Sequence, residues 1–219
     1  MNERRWFRAT EPQEMLAWLR HAGRLSERKA RLFAVGCCRR IWHLLTSESS
    51  RRAVEVAEQY ADGRVDDEQL RAASKEAGSV GVGFGAQCSP ANAAHFAALP
   101  GQVFADRCAG YAASAAVHPA AEQLAQALLL RDLFGNPFRA APTLEPSLLA
   151  WHGGAVVQLA QAAYEERAMP SGILEPARLA VLADALEEAG APDEIIEHLR
   201  SPGPHVAGCW AVDYLLGKS

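Results

Sequence analysis

Three residues near the C-terminus, His205, Cys209 and Asp213, recur at positions i, i+4 and i+8. An imidazole nitrogen, a thiolate sulfur and a carboxylate oxygen are donors that borderline metals accept. With Pro204 as the first residue of a helix, this spacing stacks all three along one helix edge. A donor from elsewhere in the chain, such as His198, would then complete a metal site or a hydrolytic one. The plainer expectation is structural. Asp213 sits in an otherwise apolar segment with Val206, Trp210, Val212, Leu215 and Leu216. A buried carboxylate there needs a partner, which His205 or an arginine from the first third of the chain would supply.

A second group lies in the stretch Leu32–Leu45, LFAVGCCRRIWHLL. At 100° per residue, Phe33, Cys37, Cys38, Ile41 and Leu44 share one wide apolar arc. Arg39, Arg40 and His43 fall on the narrow remaining arc. His43 is therefore turned away from both thiols, and this helix alone builds no metal site. A reactive thiol needs an exposed, electropositive setting, so Cys37 and Cys38 read as core and the two guanidinium groups as outward. With Arg28 and Lys29, the outward residues form a basic stripe of Arg28, Lys29, Arg39, Arg40 and His43. Such a stripe can track phosphates, but no amide or hydroxyl side chain accompanies it to read bases. It is expected to be solvated, to pair with acidic groups, or to meet a partner; nucleic acid is the less favoured partner.

Other patterns exclude more than they offer. The run GSVGVGFGAQCSP, residues 78–90, spaces Gly78, Gly81, Gly83 and Gly85 so as to break helix and strand alike. It lacks the Gly-Lys-Ser/Thr of a phosphate loop and the flanking strand of a dinucleotide fingerprint. It reads as a loop or hinge, although a ligand loop stays open. Neither an HExxH helix nor a GxSxG elbow occurs. Asp184, Glu187 and Glu188 form an acidic face opposite Leu179, Leu182 and Leu186, which reads as a solvated helix with a core stripe. No catalytic residue is assigned, and no cofactor is expected.

These groups must be positioned by helices. Of 219 residues, 49% are hydrophobic and 22% charged, the balance of an ordinary globular protein. Alternating strand patterns are nearly absent. Helix starts recur instead, at Thr10-Glu-Pro, Ser26, Ser49 or Ser50, and Asp66. Further helices are expected over 91–98, 102–116, 119–134, 155–167, 176–189, 193–200 and from Pro204 to about Leu216. The fold class is all-α, about ten helices in a globular bundle or array, with a possible lobe boundary at 78–90. The five cysteines, Cys37, Cys38, Cys88, Cys108 and Cys209, form no CxxC pair and are odd in number, so a disulfide framework is not expected. Residues 1–60 carry 12 Lys and Arg against 7 Asp and Glu, and the rest 10 against 19. This asymmetry suggests that basic helices at the front meet an acidic back half. No apolar run is long enough for a membrane span, and MNERRWFRAT has no apolar leader segment. A cytoplasmic protein is the expectation.

The blocks RLFAVGCCRRIWHLL, LLRDLFGNPFR and LADALEEAG with GPHVAGCWAVDYLLGK resemble, in this order, an uncharacterised protein family abundant in planctomycete bacteria. ARLAVLADALEEAGAPD is also similar to the RLxYADWLEExGD core of a short domain that accompanies repeat proteins in the same bacteria. The resemblance implies a helical fold and a cytoplasmic location, and no reaction. The expected function is a non-enzymatic protein-protein interaction or scaffold module with an unidentified protein partner. The alternatives are a metal- or ligand-binding protein or hydrolase using His205, Cys209 and Asp213, and nucleic-acid binding through the basic stripe.

Overall fold

Most helix signals are realised in the computed structural model, which describes residues 1–81, 89–99 and 104–218. It is all-α: the described residues form thirteen α-helices and no strand. The chain divides into two compact units, Met1–Leu130 and Arg131–Ser219.

The first unit contains α1 (Glu3–Arg8), α2 (Pro12–His21), α3 (Glu27–Arg40), α4 (Glu48–Ala61), α5 (Asp67–Gly81), α6 (Ser89–Ala98), α7 (Ala105–Ala115) and most of α8 (Pro119–Phe134). Local chemistry explains several starts. The Ser26 hydroxyl accepts from the Lys29 amide at 3.3 Å. Asp66 and Gln69 form a reciprocal capping box, each side chain accepting from the other's backbone N–H at 2.9 and 3.1 Å. α2 opens on Pro12, where a missing N–H costs nothing.

α3 is the hub of this unit. Every residue from Ala30 to Arg39 is buried, because α4, α6 and α7 all pack on it. Gly36 admits the Leu129 side chain of α8, whose Cδ1 would lie 3.2 Å from a Cβ at that position. The helix ends at Arg40, and a 3-10 turn, Trp42–Leu44, follows instead of the expected continuation to Leu45.

The glycine stretch differs from expectation. Gly78 and Gly81 are the last turns of α5 and not part of a loop. At Gly78 a Cβ would meet His95 Nδ1 at 2.9 Å, so the glycine lets α6 lie close on α5. Gly83, Gly85 and Cys88 lie outside the described residues. α5 and α6 pack extensively within the first unit, and the two compact units meet in sequence within α8.

The second unit begins with the last turn of α8 and continues through α9 (Pro146–Leu149), α10 (Ala155–Glu165), α11 (Pro176–Glu188), α12 (Asp193–Arg200) and α13 (Trp210–Leu215). α10, α11 and α12 pack in sequence order, and α13 closes on α10 and α12. Leu179, Leu182 and Leu186 of α11 are 1% exposed or less, forming the core stripe their spacing implies. The C-terminus is pinned twice: Tyr214 donates to the Pro142 carbonyl at 2.5 Å, and Lys218 Nζ sits 3.8 Å from the centroid of the buried Tyr164 ring. No described helix is long and apolar enough to cross a membrane.

Candidate metal centre

Residues 201–209 form an irregular segment between α12 and α13. The expected helix start at Pro204 is therefore corrected: α13 begins at Trp210. Gly203 has φ +77°, and a Cβ there would meet the His205 nitrogen at 2.9 Å. This left-handed turn, available to glycine, directs the chain away from a helical path. His205 then pairs by its carbonyl with the Leu174 amide at 2.8 Å. His205, Cys209 and Asp213 consequently do not share one helix edge.

Two of them nevertheless meet, with different companions. Asp132 at the end of α8, His198 in the last turn of α12, His205, and Cys209 just before α13 present donor atoms that all lie within 4.8 Å of one another. His205 Nδ1 is 2.8 Å from Asp132 Oδ1, and His198 Nε2 is 3.2 Å from the same oxygen. The Cys209 sulfur lies 3.2 Å from His198 Nε2 and 4.0 Å from His205 Nδ1. A tetrahedral zinc with its usual bond lengths spaces its donors about 3.3–3.7 Å apart. Asp213 is not in the group. It is buried on α13, where its amide donates to the Cys209 carbonyl at 2.9 Å.

The surroundings orient the donors. The Val206 amide donates to Asp132 Oδ2 at 2.9 Å, which leaves Oδ1 turned to the centre. His205 Nε2 lies 3.1 Å from the Ser201 carbonyl, so that nitrogen carries its hydrogen and Nδ1 faces the centre. Metal-binding histidines are characteristically held by such a bond from the second ring nitrogen. His198 packs edge-on to His205, centroids 4.8 Å apart, and against Trp210 at 5.1 Å.

Electrostatics follow from this packing. Burial alone would raise the Asp132 carboxyl, but hydrogen bonds from His198 and His205 overcome it and hold the group below its usual value. Burial opposes charge on His205, yet the bond to Asp132 and its negative charge raise the imidazole above its ordinary value. The Cys209 thiol is pushed well up, first by burial and then by the Asp132 charge. A free Cys209 is thus a poor nucleophile. A Cys-His-Asp relay also fails on geometry. One nitrogen of His198 faces both sulfur and carboxylate, whereas a relay uses opposite nitrogens. Convergence on one point is what a cation requires.

The other sequence candidates lie in the first unit. Cys37 and Cys38 are fully buried as expected, and burial drives the Cys37 thiol up. Cys108, on α7, was not singled out from sequence; its sulfur is 3.6 Å from that of Cys38 and 3.4 Å from the Ala34 carbonyl, tying α7 to α3. The outward placement of Arg39 is corrected. Its side chain is 2% exposed and pairs with Glu58 of α4, which packs on α3 together with α6 and α7. Arg40 is exposed and grips Glu122 of α8 through Nε at 2.9 Å and Nη2 at 3.0 Å. Arg28 faces Asp62 at 3.5 Å. Lys29 is half-buried and His43 exposed. Arg28, Arg39 and Arg40 are thereby neutralised by acids of their own unit. The acidic face of α11 is engaged too: Arg200 donates to Asp184 and Glu187 at 2.7 and 2.6 Å.

Asp132 and His198 owe their roles to tertiary packing, and only His198 had a signal in the sequence, as a nearby donor. Comparison of the chain with family models, curated proteins and solved structures returned no match.

Proposed function

We propose that this is a non-enzymatic, metal-stapled helical module, with Asp132, His198, His205 and Cys209 as ligands of a zinc-class cation. One observation carries the reading: four donors from separate places in the chain converge, and the atoms turned to the centre are selected by bonds to Val206 and Ser201. Two nitrogens, one sulfur and one oxygen suit zinc or cobalt and not calcium or magnesium, which prefer all-oxygen shells. Four protein donors fill a tetrahedral shell, the pattern of a structural site. The metal would fasten the irregular 201–209 segment to α8 and α12. The remaining helices then serve as a scaffold for a protein partner in a cytoplasmic setting, as the sequence suggests.

Elemental analysis of the purified chain tests this. One zinc-class ion per chain is expected, lost in Cys209→Ala and His198→Ala. Background metal in the wild type, with no change in melting temperature on adding zinc, contradicts it.

A further inference from the structure

The four donors differ in one respect that bears on metal exchange. The side chains of Asp132 and His205 are 3% and 6% exposed and Cys209 is fully buried, whereas that of His198 is 18% exposed. His198 is thus the ligand that borders solvent. Its ring packs edge-on with His205 and tilted against Trp210, with centroids at 4.8 and 5.1 Å. Trp210 directly follows the ligand Cys209 and is itself half-buried.

Gly135 explains why the indole can lie where it does. The chain leaves α8 through Gly135 at φ +57°, and a Cβ there would come within 3.0 Å of Trp210 Cδ1 and Nε1 and 3.1 Å of Cδ2. The indole therefore rests on bare backbone just after Asp132. Trp210 thus approaches both the Gly135 backbone and the His198 ring, the two rings inclined at 49°, beside the helix end that carries the carboxylate ligand.

Resting on the metal reading above, we infer that Trp210 is a positioning residue that holds His198 on the cation, and that metal enters and leaves by the swing of His198 past the indole. Removing the ring leaves all four donors in place. It frees the solvent-side ligand to rotate, so metal is released faster while binding persists.

Cobalt(II) is the probe. The full-length wild type, Trp210→Phe, Trp210→Leu and Trp210→Ala are loaded with cobalt, and binding is read from the cobalt-thiolate absorption. Release into excess EDTA is then followed by stopped flow, and the melting temperature of each metal-free protein is measured alongside. Loss of a residue that orients a ligand typically weakens metal binding about 10–100-fold. Trp210→Ala is expected to keep the thiolate band and to release cobalt faster by a factor of that size. Trp210→Phe, which keeps a ring, should release close to the wild-type rate. If Trp210→Ala does not fold, Trp210→Leu carries the same expectation, compared with Trp210→Phe. Release from the alanine or leucine variant at the wild-type rate overturns the inference. Absence of a thiolate band in the wild type overturns the metal reading on which it rests.

Discussion

At the scale of single residues, the centre is defined by which atom each side chain turns inward. Cys209→Ala removes the one sulfur, and zinc affinity is expected to fall by more than the ~100-fold typical of an orienting partner; a competition titration against a chromophoric chelator measures it. Ser201→Ala should change little, since the acceptor for His205 is chiefly the Ser201 carbonyl. The metal-free protein has a pH signature of its own. Asp132 is held below its ordinary value, so its stabilising contribution is present above the normal carboxylate range and is lost as pH falls through the lowered value. His205 is raised, so its contribution is complete below the ordinary imidazole value and is lost as pH rises through the raised one. Melting temperature in EDTA should therefore be highest in weakly acidic solution and decline towards neutral and alkaline pH. Zinc should remove the alkaline decline, because the cation replaces the protons of the site. A chelated protein whose stability is flat between pH 5 and 8 contradicts this.

At the scale of elements, packing redirected several residues that local pattern had placed. The helices themselves were legible: α8 and α12 match their expected bounds, and α11 nearly so, because caps, prolines and apolar periodicity are local signals. The end of α3 at Arg40 and the late start of α13 were not legible; the turn at Gly203 decides the second. The same limit explains the site. His205 and Cys209 stood out by type and spacing, but Asp132 looked like any charge near the end of a helix. Arg31 shows the effect in the first unit. It reads as one more cation, yet it is buried and donates to the Ala97 and Leu99 carbonyls at 3.1 and 2.8 Å, to Glu27 at 2.6 Å, and lies over the Tyr60 ring. It caps the C-terminal end of α6, where a cation also meets the negative end of the helix dipole. Arg31→Met is expected to destabilise the protein by about 1.5–3 kcal/mol, the range for charged hydrogen bonds. Urea unfolding monitored by circular dichroism checks it, and an unchanged midpoint contradicts it.

At the scale of the whole molecule, the two units are held by different chemistry. The first is a packed set of helices whose cations are paired internally: Arg20 with Asp106, Arg28 with Asp62, Arg39 with Glu58 and Arg40 with Glu122. The second contains every proposed ligand and both orienting contacts, so metal should act on its stability. Zinc at a hundred times its dissociation constant should add about 2.7 kcal/mol to the folded state. A thermal scan should then show that gain in wild type and not in Cys209→Ala. The most direct test of the central claim is X-ray absorption spectroscopy at the zinc edge of the loaded protein. A four-coordinate shell is expected, with one sulfur at about 2.3 Å and three nitrogen or oxygen neighbours at about 2.0–2.2 Å. A six-coordinate shell of oxygen and nitrogen without sulfur would contradict it.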